Sequence, residues 1–204
     1  IEGLPEEDMR AHAPAWVMAH TLRGDAESAL RDLDRYSPRP ARDAFSDAAA
    51  ALAYMTSVGA ASGFSGPTHL IRQALGRLKE IERAEKPKDY WTLFARYICG
   101  AIYLMLPDMF DTASDGLRML EDVEQRLCSF DIETDRIPMW VKETLRFEIF
   151  PAAEVRVNRL LAEAKLRRRN REGARKHVLR IIELADPRDE HSKWARVMKL
   201  EIKD

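Results

Sequence analysis

The sequence predicts an all-α protein made of antiparallel helix pairs stacked as a short superhelical solenoid. Apolar residues recur at three- and four-residue intervals along nearly the whole chain, the spacing that gathers them on one face of a helix. No segment shows the two-residue alternation of a half-buried strand, except Met198, Leu200 and Ile202 near the end, which fit a terminal helix as well. Proline and Gly-Asp steps interrupt the periodic stretches, and the short linkers they leave force neighbouring helices to run antiparallel.

Taken in order, these breaks predict helices near 13–23, 25–36, 42–58, 67–84, 88–106, 109–128, 138–150, 152–168, 171–185 and 188–201. Pro14 is read as starting the first, because the N–H that proline lacks has no partner in a first turn. Gly24-Asp25 supplies a turn and an N-cap for the second, where Ala26, Ala29, Leu30 and Leu33 form one stripe. Ser37-Pro38-Arg39-Pro40 ends it. Ser65-Gly66-Pro67 opens the helix carrying Leu70, Ile71, Ala74, Leu75, Leu78 and Ile81, and Lys86-Pro87 closes it. The stretch Leu93 to Leu106 is apolar nearly all round, as in a helix covered on several sides; an apolar ligand groove is the alternative. It is too short for a membrane span and contains Arg96. Beyond Leu106-Pro107-Asp108 come Ala113, Leu117, Leu120 and Leu127, and Ile137-Pro138 and Phe150-Pro151 bracket a further helix. The last long pair is the clearest: Ala153, Val157, Leu160, Leu161 and Ala164 on one helix, then Ala174, Val178, Ile181, Ile182 and Ala185 on the next, closed by Asp186-Pro187.

A chain of 204 residues that is 46% hydrophobic folds, and one elongated domain over 1–204 is the simplest expectation. The charged share of 33% suits an architecture with much surface per residue. The net charge of -1 conceals polarity: residues 152–204 carry 15 Lys and Arg against 9 Asp and Glu, the remainder 18 against 25. Cys99 and Cys128 are too few for a disulfide framework and lack metal-ligand spacing, so they read as buried free thiols, with one disulfide as the alternative. The first residue is Ile rather than Met, which fits loss of an upstream signal peptide, tag or domain. An aqueous compartment is expected, the cytoplasm or, for a processed form, outside it.

The stretch Arg23-Gly24-Asp25-Ala26-Glu27-Ser28-Ala29-Leu30, with Leu33 and then Pro38, resembles the second helix of a tetratricopeptide repeat. Trp16 would then be a core aromatic of the first helix. Leu161, Ala162, Ala174, Val178 and Ile181, closed by Asp186-Pro187, resemble a second unit, and Tyr97, Ala101, Leu104, Ala113, Leu117 and Leu120 a third. Small residues at facing positions let antiparallel helices approach, and larger neighbours fill the layer against the next pair. The anchors Ala29, Ala74, Ala113 and Ala174 are unevenly spaced, whereas the family repeats about every 34 residues. The resemblance implies a curved stack that holds a peptide or protein in a groove lined by the first helix of each pair.

Candidate chemistry is sparse. His12, His20, His69, His177 and His191 are scattered, and no third ligand completes a zinc site. No nucleophile elbow or phosphate-binding glycine loop is present, so no metal, cofactor or enzymatic activity is expected. The strongest local feature is basic: Lys165, Arg167, Arg168, Arg169, Arg171, Arg175, Lys176 and Arg180 fall across one turn, as an anion-facing surface or as a solvated rim steadying helix C-terminal carbonyls. Arg156, Arg159, Glu163 and Arg167 share one helix face, which the resemblance implies is groove-lining; pairing of Glu163 with its own arginines is the bland reading. Arg156, Arg159, Glu163, Arg167, Arg168, Arg171 and Arg175 are therefore the candidate binding residues, and the expected partner is an acidic protein or peptide. A second copy of the chain is also admissible. Nucleic acid bound at 165–180 is a rival that lacks aromatic stacking partners, and a lipid or small-molecule carrier is another.

Overall fold

The computed structural model describes residues 6–36, 44–60, 65–83, 90–106, 110–129 and 150–202. Among the described residues there are nine α-helices, one short 3-10 turn at Val58–Ala60 and no strand, in agreement with the all-α expectation. The helices are α1 (Glu6–Leu22), α2 (Ala26–Tyr36), α3 (Ala44–Ser57), α4 (Ser65–Arg83), α5 (Tyr90–Met105), α6 (Ala113–Ser129), α7 (Phe150–Arg167), α8 (Arg171–Leu184) and α9 (Glu190–Glu201). The helix expected at 138–150 lies outside the described residues, as do Pro38, Pro40, Pro87, Pro107 and Pro138. Pro67 and Pro151 sit in first turns, where no N–H is missed.

The largest departure from the expected boundaries is at the start of α1, which begins at Glu6 rather than near 13. Pro14 does not start α1 but lies inside it. The missing N–H leaves the Arg10 carbonyl without its bond. Ala13 and Val17 on either side are fully buried, so packing holds the turn that local propensity would break.

The chain divides into two compact units, Ile1–Pro87 with Trp91–Ile102, and Lys88–Tyr90 with Tyr103–Asp204. In the first, α1 and α2 form a hairpin, and α3 packs against α1, α2 and α4. Ala48, Ala49, Ala50 and Ala51 are all buried. Four consecutive residues at 100° steps go most of the way round the helix, so α3 is enclosed over this turn, and methyl-sized side chains permit the close approach. Phe45 lies near Phe94 of α5, ring centroids 6.4 Å apart. Inside this apolar setting sits an ion pair, Arg77 Nη1 to Asp47 Oδ1 at 3.0 Å, with both side chains almost fully buried. Trp16, expected in the core, is only half-buried.

In the second unit α7 packs against α6, α8 and α9. Its core gathers Val155, Ala162, Ala174, Val178, Ile181 and Ala195, edged by Leu166, Trp194 and Met198. The stripe expected on α8 supplies Ala174, Val178 and Ile181 to this core, whereas α7 supplies Val155 and Ala162; Val157, Leu161 and Ala164 of the stripe expected on α7 are buried outside this cluster. Met198, Leu200 and Ile202 end α9 as helix and its cap rather than as a strand.

The α1–α2 and α7–α8 turns are built alike. In the first, Gly24 N–H bonds the Thr21 carbonyl and Asp25 N–H the His20 carbonyl, with Gly24 at φ 76. In the second, Arg169 N–H bonds the Leu166 carbonyl and Asn170 N–H the Lys165 carbonyl, with Arg169 at φ 57. Both are Schellman closures with a left-handed residue. In both, the next residue caps the following helix: Asp25 Oδ1 accepts from Ser28 N at 3.1 Å, and Asn170 Oδ1 from Gly173 N at 2.8 Å. The bond from Ser28 holds the Asp25 carboxyl below its ordinary value. Glycine enters the left-handed region freely and arginine does not. Arg169→Gly is therefore expected to stabilise the second unit by about 0.5–1 kcal/mol, and Gly24→Ala to cost the first about 1 kcal/mol, both read by urea denaturation. A destabilised Arg169→Gly variant would refute this account of the turn.

Candidate functional site

A layer of polar side chains crosses the second unit where α6, α7 and α8 meet. His177, on the apolar stripe of α8, is buried, as is Asn158 of α7. His177 Nδ1 lies 2.9 Å from Asn158 Oδ1 and 3.2 Å from Glu124 Oε1 of α6. Both partners accept, so the proton belongs on Nδ1. Asn158 Nδ2 in turn donates to the Glu154 carbonyl at 3.0 Å. One turn away, the buried Glu154 carboxylate accepts from Arg180 Nε at 2.6 Å and from Cys128 Sγ at 3.1 Å. Glu124, His177, Cys128 and Arg180 border a groove of about 920 Å³ whose lining also includes Glu121, Lys165, Lys176 and Glu183.

The electrostatics of this layer follow from its contacts. Partial burial raises the Glu124 carboxyl, but the hydrogen bond and charge of His177, with Lys176 and Lys165, outweigh it, so the net shift is downward. Desolvation, the hydrogen bond to Glu154 and the charges of Glu154 and Glu124 push the Cys128 thiol up to about 11. Thiolate is the reactive form, so Cys128 at neutral pH is a hydrogen-bond donor and a poor nucleophile. Neither Cys99 nor Cys128 forms a disulfide; Cys99 is buried as expected, whereas Cys128, in the last turn of α6, is exposed. Among the described residues no group of three His, Cys, Asp or Glu side chains could hold a metal ion. No helix among them is long and apolar enough to cross a membrane.

The arginine-rich tract separates into engaged and unengaged members. Lys165 pairs with Glu121 at 2.8 Å, Arg180 with Glu154, Arg167 donates to the Leu104 carbonyl at 3.3 Å, and Arg168 to Ser114 Oγ at 3.2 Å. These four tie α7 and α8 to their neighbours. Arg169, Arg171, Arg175 and Lys176 are exposed and have no ion-pair or hydrogen-bond partner among the described residues.

The expected face of α7 divides the same way. Arg159 donates to Glu163 Oε1 at 3.0 Å and to His191 Nδ1 at 3.0 Å, and its guanidinium lies 5.1 Å from the Trp194 ring centroid. Arg159 thus fastens α9 to α7, and Glu163 is its internal partner. Arg167 does not pair with Glu163. Arg156 is exposed beside a smaller hollow that includes Asp186 and Asp189. Of the seven residues proposed from sequence, Arg156, Arg171 and Arg175 are exposed and unengaged, and Arg159, Glu163, Arg167 and Arg168 are held by contacts within the chain. The polar layer of Glu124, Glu154, Asn158 and His177 escaped sequence reading. Its signal was His177, a polar residue between Ala174 and Ile181 on an apolar stripe.

Together these features define an all-helical protein with an internal polar layer and a basic turn. No family model matches the sequence, and no curated protein or solved structure matches it either.

Proposed function

We propose that the chain is a helical-repeat interaction module, similar to tetratricopeptide proteins, that binds an acidic segment of a partner protein at the α7–α8 turn. The observation that carries the reading is the cluster of Arg169, Arg171 and Arg175, exposed and without an ion-pair or hydrogen-bond partner among the described residues, beside Lys165, Arg167, Arg168 and Arg180, which are engaged. Arginine forks left open in this way suit carboxylates.

The repeat character is supported by the matching closures and caps of the α1–α2 and α7–α8 turns, with fully buried alanines at Ala29 and Ala174. It is also supported by α3 contacting both helices of the preceding hairpin.

The test is fluorescence anisotropy with a labelled glutamate-rich peptide. Arg171→Glu with Arg175→Glu is expected to weaken binding more than about tenfold, the equivalent of 1.4 kcal/mol, with helicity retained. Equal affinity of wild type and variant would sink the proposal. Preference for a single-stranded RNA of equal charge, with a steeper salt dependence, would transfer the surface to nucleic acid.

A further inference from the structure

Beside the basic turn, the ends of α7 and α9 border a depression of about 660 Å³ lined by Leu166, Arg169, Arg171, Met198, Glu201 and Ile202. Leu166, Met198 and Ile202 make an apolar floor, and Arg169 and Arg171 bring two unpaired guanidinium groups to it. At 3.6 residues per turn, Val197 comes next around α9 from Glu201, and Leu200 next after it. Both are strongly exposed, Val197 at 53% and Leu200 at 67%. Lys193, Arg196 and Lys199 are exposed on the same helix. The result is a concave apolar site lined by two arginines and one acid, with further apolar and basic residues exposed on α9.

We infer that this depression takes one large apolar side chain of the partner (Phe, Leu or Met) whose flanking carboxylates are gripped by Arg169 and Arg171. The inference rests on the reading of the turn as the surface for an acidic partner, and it names the anchor of that partner. Charge complementarity selects acidic flanks, since Arg169 and Arg171 line the site against the single acid Glu201. Shape selects a protruding side chain: a flat lipid surface leaves a concavity unfilled, whereas a side chain occupies it and excludes water. No aromatic ring lines the depression, so a nucleic-acid base has nothing to stack on there.

The experiment uses two labelled peptides of equal charge, glutamate-rich with a central Phe or a central Ser, titrated by anisotropy against the whole chain. The Phe peptide is expected to bind about tenfold more tightly, as burial of one aromatic side chain allows. Met198→Ser is expected to remove that preference. Leu200→Ser, at an exposed position that leaves folding intact, is expected to reduce it. Glu201→Gln is expected to tighten both peptides roughly twofold by removing one repulsive charge. Equal affinities for the two wild-type complexes would overturn the anchor site and leave the acidic-partner reading standing. No affinity for either peptide would overturn both. A Phe preference untouched by Met198→Ser and Leu200→Ser would place the anchor elsewhere, and release of both peptides by phosphatidylserine but not phosphatidylcholine vesicles would assign the surface to a membrane.

Discussion

Replacing Asp47 by Ala is expected to destabilise the first unit by about 3–5 kcal/mol, enough to unfold a marginal domain. Asp47 and Arg77 are 2% and 3% exposed and meet at 3.0 Å. Truncating the carboxylate removes the oxygen that meets the Arg77 guanidinium at 3.0 Å, at a depth where water does not reach to replace it. The position of Asp47 in the first turn of α3 adds a second loss, because a carboxylate there faces the positive end of the helix dipole. Changing both residues together, Asp47→Leu with Arg77→Met, is expected to recover most of the stability, since desolvation of the pair nearly cancels its attraction. Urea denaturation followed by circular dichroism distinguishes the two cases. If Asp47→Ala alone leaves the midpoint unmoved, the pair is not the buried contact described.

The helices were legible in the sequence because period and punctuation are local properties. The stripes on α7 and α8 needed nothing beyond spacing, and Val157, Leu161, Ala174 and Val178 are all buried. The Gly24-Asp25 closure could be read directly, because glycine announces a left-handed residue. Its counterpart at Arg169-Asn170 could not, because arginine carries no such signal and only the fold places it at φ 57. Pro14 was misleading for a related reason. A proline rule describes an isolated helix, and the burial of Ala13 and Val17 decides the matter from outside α1.

The candidate site was legible in composition and not in geometry. The sequence showed eight cations between Lys165 and Arg180 but could not say which were already engaged. That depends on Glu121 and Ser114 of α6 and on the Leu104 carbonyl, all distant along the chain. Arg159 illustrates the point. Spacing offered Glu163 as its partner, which is correct, but His191 and Trp194 come from another helix and turn a candidate ligand-binding arginine into a clasp.

Replacing His177 by Leu is expected to cost the second unit about 2–4 kcal/mol and to flatten its acid unfolding. The first effect comes from Asn158. It is completely buried, and its Oδ1 loses the Nδ1–H donor when the imidazole goes, while leucine offers no replacement. The second effect comes from Glu124. Its folded-state pKa lies below the ordinary carboxylate value, with burial opposing the shift and the His177 hydrogen bond leading the groups that cause it. A depressed carboxyl binds fewer protons when folded than when unfolded. Its contribution is therefore complete above the unfolded value near 4.5 and disappears as pH falls through the lower folded value. Without the imidazole the downward pull loses its two leading causes while desolvation remains, so the folded value rises and that stabilisation above pH 4.5 is lost. Denaturation at pH 7 and in steps from pH 5 to pH 3 reads both effects. Equal steepness of the acid limb in wild type and His177→Leu would show that Glu124 takes its shift from elsewhere. Full stability of the variant at pH 7 would show that the layer joining α6, α7 and α8 is not held together by its histidine.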